Sequence, residues 1–264
     1  MKGTKTSPMK EERMLTERIT SAKNPLIQHV RKLQASRSYR EACSEFVADG
    51  WKLLEESLRW YPDITAVIIS EGAQCPPLPP QTRVAEVPSS LMERISSMQT
   101  PQGVIFLCRL PVEQPLHLQR GMLLLDRIQD PGNLGTILRT ADAFDVPVIL
   151  TNGCADPYSE KTVRASMGAV FRTPPQSAPL DAVLRACRTL DLPISVTALT
   201  DRAVDVREAA LSDGIVAIGS EGQGVCAELF SAAQKQIIIP MEPRCESLNA
   251  AVAASIVMWL IKYR

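Results

Sequence analysis

The chain lacks a net charge, a disulfide pattern and a membrane-length apolar run, and each absence removes a class of protein. Its 29 Lys and Arg residues are balanced by 29 Asp and Glu over 264 residues, so the total charge gives no reason to infer a polyanionic partner. The seven cysteines are odd in number and irregularly spaced, with no Cys-x-x-Cys pair. That disfavours a disulfide framework and a zinc site, and fits reduced thiols in a cytoplasmic protein. Met1 to Glu17 are polar and lack the apolar core of a secretory leader. The longest apolar stretch, Leu248 to Ile261, falls short of the roughly 20 residues a membrane helix needs. Neither a P-loop nor a Gly-x-Gly-x-x-Gly fingerprint occurs, which argues against a nucleotide-dependent enzyme such as a dehydrogenase. There are no internal repeats, and the only biased segment is Cys75-Pro-Pro-Leu-Pro-Pro80. A soluble, cytoplasmic protein with one large or two modest domains is expected.

What is present is unevenly placed. Residues 1–40 hold ten Lys or Arg against three Glu, so the chain begins basic and the remainder is acidic by the same margin. Residues 1–18 are expected to be a mobile tail. After the turn Ser21 to Pro25, Leu26, Ile27, Val30 and Leu33 recur at helical spacing, with Arg31, Lys32, Arg37 and Arg40 on or beyond the polar side. Strands are expected at Phe46–Ala48, Ile64–Ile69, Arg83–Val87 and Gly103–Cys108, with helices at Trp51–Trp60 and Ser89–Met98. This alternation predicts a layered α/β domain over residues 19–110, and Pro111, Pro115 and Gly121 mark residues 111–121 as a linker.

Residues 122–264 read as a second domain, with buried strands at Met122–Leu125, Val148–Leu150, Ile194–Val196, Ile215–Ile218 and Ile237–Ile239. Helices are expected from Leu134, from about Glu160 and over Leu180–Leu190. Continuous apolar strands separated by helices imply a parallel sheet covered on both faces, and ligands bind such sheets beyond the carboxyl ends of the strands. Three loops leave those ends with polar residues. The first runs from Asp126 through Pro131-Gly-Asn133 to Arg139. Asn133 stands where an N-cap belongs, and an ion pair with Asp142 or Asp145 would account for Arg139. The second is Gly219-Ser-Glu-Gly-Gln-Gly224, whose Glu221 would repel phosphate and is better suited to orienting an arginine such as Arg139. The third follows Ile239: Pro240 ends the strand, and Ser247 can cap a final helix that is apolar nearly all round. Glu246, Ser247 and Asn249 are polar groups beside that helix, costly if buried without use.

Together these loops resemble the three motifs of the SpoU, or TrmH, branch of the SPOUT RNA methyltransferases. The resemblance takes in Arg164-Ala-Ser-Met-Gly-Ala169, and Ile19-Thr-Ser-Ala-Lys-Asn-Pro25 with Phe46 to Gly50, which look like the ribosomal-protein-L30e-like substrate-binding domain often fused in front. It covers essentially everything after residue 18. It implies an α/β catalytic domain with a parallel sheet and a deep trefoil knot, an exception to unknotted connections. It also implies S-adenosylmethionine as cofactor, held near Gly219, Ile239, Met241 and Leu248, and a homodimer through the catalytic domain. The implied reaction is methylation of a ribose 2′-hydroxyl in RNA, ribosomal RNA before transfer RNA. By motif, Asn133, Arg139, Glu221, Ser247 and Asn249 form the catalytic set, and Arg31, Lys32, Arg37 and Arg40 are expected to meet RNA phosphates. No metal is implied. One departure is visible: Glu242-Pro-Arg-Cys stands where the family usually has a glycine. The competing expectation is a non-catalytic RNA-binding protein that kept the fold.

Overall fold

A computed structural model of the chain describes residues 16–220 and 222–264. In the first half, β1 (Thr16–Arg18), α1 (Pro25–Ala35), α2 (Arg37–Cys43), β2 (Glu45–Asp49), α3 (Trp51–Trp60), β3 (Ile64–Ser70), β4 (Arg83–Val87), α4 (Ser89–Ile95) and β5 (Val104–Arg109) follow in turn. They make a mixed five-stranded sheet in the order β1-β4-β3-β5-β2. Thr16–Arg18, expected in the tail, are instead an edge strand parallel to β4; the rest of the expected tail lies outside the described residues. Helix α1 starts where the sequence signals it: Pro25 occupies the first turn and the Asn24 side chain accepts the Leu26 N–H. Helix α4 stops three residues short of the expected Met98. Ser96 Oγ donates to the Asp49 carboxylate and accepts the Met98 N–H, which draws the chain out of helical geometry.

The second half holds β6 (Met122–Leu125), α5 (Pro131–Phe144), β7 (Val148–Leu150), α6 (Glu160–Ala165), α7 (Ala169–Arg172), β8 (Gln176–Ser177), α8 (Leu180–Thr189), β9 (Ile194–Thr197), β10 (Val204–Asp205), β11 (Ile215–Ile218), α9 (Ala227–Ala232), β12 (Lys235–Ile238) and α10 (Ala250–Tyr263). Its seven strands lie in the order β10-β12-β9-β11-β6-β7-β8, and every pairing is parallel. The central pair β6 and β11 is in register from Met122 opposite Ile215 to Leu125 opposite Ile218, and all eight residues are buried. Continuous branched and aliphatic side chains suit a strand covered on both faces, which is why these two were readable.

The two sheets share one core. Phe46 of β2 and Phe106 of β5 meet Phe171 of α7 at ring separations of 6.1 and 6.3 Å, and Phe46 meets Tyr158 at 5.1 Å. Around this apolar joint, Arg40 of α2 bonds to Asp156 and to the Leu33 carbonyl, while Arg172 of α7 bridges Glu56 of α3 and Asp142 of α5. The connection expected as a linker is also pinned. His117 N–H donates to Gln176 Oε1 and Gln176 Nε2 returns a bond to the His117 carbonyl, both at 2.8 Å.

One buried carboxyl at this joint is held badly. Asp49 is 4% exposed, and its Oδ1 has no partner among the described residues. Burial pushes its pKa above the ordinary 3.8. Glu160, which faces it through Ser97 and Arg164, is pushed up from 4.5 by burial and then by Asp49. The folded state therefore holds these protons more tightly than the unfolded chain. Their favourable contribution is complete below the ordinary carboxylate range and is lost as pH rises through the native values. Asp49→Asn combined with Glu160→Gln should flatten the melting temperature between about pH 4 and about pH 7 relative to wild type; parallel profiles would show that other groups set the slope.

Candidate active site

The site is assembled by two helix N-termini. Pro131 has no N–H to give and fits the first turn of α5, which moves the capping role back to Asp130. Asp130 Oδ1 accepts the Asn133 N–H at 2.8 Å. That bond, with Lys161 at 3.2 Å, holds the Asp130 carboxyl below its usual value. Asn133 is therefore not the N-cap that its position suggested, and its side chain takes another role. Its Oδ1 accepts from Asn249 Nδ2 at 3.0 Å.

The final helix corrects a second capping expectation. Asn249, not Ser247, is the N-cap of α10, with Oδ1 accepting the Ala251 and Val252 N–H groups at 2.9 and 3.3 Å. The helix starts later because Ser247 and Leu248 lie along a cavity instead of entering the first turn. Glu246, Ser247 and Asn249 are exposed rather than buried, so no desolvation cost arises there. Nor is α10 buried all round: Val252, Trp259 and Tyr263 are 48, 52 and 61% exposed.

That cavity, of about 410 Å³, opens at the carboxyl ends of the neighbouring strands β12, β9 and β11. Gly219, Ile239, Met241 and Leu248 all line it, as does Ser247. Ile238 and Ile239 are only half-buried because they face this space, and β12 ends at Ile238, one residue earlier than expected. Thr197 to Thr200 form a further wall that sequence reasoning did not single out. Their signal was positional, since they follow a strand in the same parallel sheet. A glycine is required at 219: a Cβ there would lie 2.0 to 2.2 Å from the backbone of Gly224 and Val225.

Arg139 is exposed on α5, roughly 9 Å of helical rise beyond Asn133. The acidic partners suggested for it are engaged elsewhere, Asp142 with Arg172 and Asp145 with Lys262. Arg139 makes no hydrogen bond or ion pair among the described residues, so it is not joined to Asn133 and Asn249 as they are to each other. Glu221 lies outside the described residues. The four basic residues expected to meet RNA differ in exposure and partners. Arg31 is half-buried, exposed Lys32 lies over the Tyr39 ring, and Arg37 pairs with Glu41 at 2.8 Å. Arg40 corrects the expectation outright: it is 5% exposed and committed to Asp156, so it fastens the two sheets and does not meet a ligand. Among the described residues no group of three or more potential metal ligands occurs, and no helix is long and apolar enough to cross a membrane.

A parallel sheet with a main-chain-walled cleft at its carboxyl edge, and with polar groups of two helices joined nearby, is the ligand-binding arrangement of an open α/β fold. More particularly, the chain belongs to the SpoU rRNA Methylase family, which it matches over residues 121–259. Residues 24–105 match the MRM3-like substrate binding domain. The chain is similar to the 23S rRNA (guanosine(2553)-2′-O)-methyltransferase RlmP of Bacillus subtilis, at 30% identity over 249 residues covering 93% of this chain and 99% of the relative. Among solved structures it is similar to an AdoMet-bound rRNA methyltransferase from Sinorhizobium meliloti, with TM-score 0.81, 31% identity and coverage of 93 and 97%. A TrmH-family RNA methyltransferase from Porphyromonas gingivalis, described as putative, matches with TM-score 0.77 at 33% identity, covering 89 and 96%.

The Asn249 amide has two separable tasks. Asn249→Ala removes both the cap and the bond to Asn133 and should destabilise the fold by about 1 kcal/mol. Asn249→Asp keeps an oxygen for the helix N–H groups and should recover most of that loss in urea unfolding while lacking the donor to Asn133. Equal losses in the two variants would show that capping is not what Asn249 contributes.

Proposed function

We propose that the chain transfers a methyl group from S-adenosylmethionine to a ribose 2′-hydroxyl of ribosomal RNA, with the Asn133–Asn249 pair marking where the reacting groups meet. The observation that carries this reading is that one hydrogen bond joins the first turn of α5 to the N-cap of α10, at the end of a cavity lined by Gly219, Ile239, Met241 and Leu248. The walls fit the cofactor. Exposed strand-end backbone can bond a nucleoside and an amino-acid moiety, Leu199, Phe230 and Leu248 offer apolar contact, and among the described residues no lysine or arginine lines the space to repel a sulfonium. When bound, S-adenosylmethionine supplies an electrophilic methyl group.

The chain's own residues then have to orient the oxygen and carry charge. Ser247 and Asn249 would place the 2′-hydroxyl in line with the methyl group, its proton passing to solvent as the new oxygen–carbon bond replaces the carbon–sulfur bond and leaves the thioether, S-adenosylhomocysteine. The Arg139 guanidinium is a cation that donates hydrogen bonds and accepts none. It therefore serves by gripping the adjacent phosphate and stabilising the developing alkoxide, and Glu221 is assigned by motif to fix its orientation. That both acidic neighbours of Arg139 on α5 are already paired supports this, since the guanidinium remains available to a phosphate. Lys32, Arg31 and Arg37 supply phosphate contacts that position RNA without reading its sequence.

Residues 19–110 act as the RNA-holding unit and 122–264 as the catalytic unit. The exposed apolar side of α10, with Trp259, Val252 and Tyr263 beside a hollow lined by Phe144, Ile256 and Leu260, is the surface by which two copies pair. The segment leading to α10 threads a loop as a trefoil knot, and the enzyme works in the cytoplasm.

Arg139→Lys should lower tritium transfer from labelled S-adenosylmethionine to ribosomal RNA by about a hundredfold, with cofactor affinity retained. Turnover at the wild-type rate removes Arg139 from the mechanism, and no transfer by the wild-type protein to any RNA removes the enzyme reading. Trp259→Glu should convert the sedimenting species from dimer to monomer; an unchanged sedimentation coefficient places the interface elsewhere.

A further inference from the structure

Arg127, the second residue past the end of β6, has φ +57°, in the left-handed region that a side chain with a Cβ rarely adopts. The surrounding contacts explain what holds it there. Its guanidinium crosses to the turn that follows β11, donating from Nη1 to Gln223 Oε1 at 3.1 Å and from Nη2 to the Gly224 carbonyl at 3.3 Å. Nε faces Asp126 Oδ2 at 3.4 Å. Asp126 is itself 2% exposed and accepts the Cys226 N–H at 2.7 Å and the Thr151 hydroxyl at 3.0 Å. Two consecutive residues thus hold the return side of one turn. Gly153 leaves the room: a Cβ there would lie 3.1 Å from Arg127 Cγ.

The turn transmits what Arg127 does. Ser220 and Gly224 exchange both backbone bonds, at 3.1 and 2.9 Å, and the Gly219 backbone is packed directly against Gly224. Moving Gly224 therefore moves Gly219 and Ser220, which line the cavity, while Arg127 itself does not line it.

We propose that Arg127 is a positioning residue for the cofactor pocket, setting the wall formed by Gly219, Ser220, Gly222, Gln223 and Gly224 and so the affinity for S-adenosylmethionine. The proposal rests on the reading of this cavity as the cofactor site. Its energetic basis is a charge-assisted bond to a main-chain oxygen, the stronger kind of hydrogen bond, made at the expense of an unfavourable backbone angle. The contact is not sequence-local, since it joins residues about a hundred positions apart.

Three variants test it. Arg127→Ala removes the clamp; Arg127→Gly removes it while making φ +57° easy; Arg127→Lys restores a charge with fewer donors. S-adenosylhomocysteine is titrated into each full-length protein by calorimetry, and the KM for S-adenosylmethionine is measured beside kcat and melting temperature. Arg127→Ala and Arg127→Gly should each weaken binding about tenfold, with KM rising by more than kcat falls, and Arg127→Lys should recover part of the loss. Arg127→Gly should melt at or above Arg127→Ala and still bind weakly, which a purely structural role would not produce. Wild-type affinity in Arg127→Gly overturns the proposal and leaves the pocket assignment standing. A wild-type protein that binds no S-adenosylhomocysteine overturns the pocket assignment, and the proposal with it.

Discussion

The cavity end of the second sheet depends on the carboxamide of Asn249 working at both of its ends, its oxygen seating the first turn of α10 and its nitrogen reaching Asn133 on α5. A carboxylate could cap and an ammonium could donate; the amide does both without a net charge. The consequence is geometric. Residues separated by more than a hundred positions are held at hydrogen-bond distance by one side chain, and the cavity wall from Met241 to Leu248 is stretched between that anchor and the end of β12. The loop has exposed polar residues along it and no regular structure of its own. Its two ends do the work of definition.

The first sheet is tied to this arrangement through packing as well as charge. The aromatic joint around Phe171 buries rings from both halves, and two arginines close its rim. Arg40 and Arg172 are well paired rather than merely enclosed, which matters because removing one partner of a buried ion pair leaves the other uncompensated. Asp49 shows the contrast: beside the same joint it keeps an unpartnered oxygen, and its carboxyl resists ionisation accordingly.

Much of this was legible in the residues, and the gaps have identifiable causes. Met122–Leu125, Val148–Leu150, Ile215–Ile218 and Trp51–Trp60 were readable to the residue because their periodicity is unbroken by turn formers. Strands β8 and β10 carry two residues each, too few for any pattern, and exist because a neighbouring strand offers them an edge. Both capping errors came from weighing a polar residue without its neighbour: Pro131 shifts the cap to Asp130, and Leu248 lining the cavity shifts it to Asn249. Arg40 looked like Arg37 in sequence, since nothing local announces a partner at Asp156. Helix α10 read as enclosed because composition reports apolarity, not which surface covers it. The cavity residues Gly219, Ile239, Met241 and Leu248 were found through motif resemblance. Thr197 to Thr200 were not, because a wall made by main chain leaves little mark on side-chain identity.

Arg172 spans Glu56 of α3 and Asp142 of α5, so a helix of the first half and the helix bearing Arg139 share one cation. An exchange of N-terminal halves between relatives would sever that arrangement unless an acid equivalent to Glu56 travelled with the graft. The joining of the two halves in such chimeras is thus tied to the inheritance of a few seam residues, and the front half is less interchangeable than its separate sheet suggests.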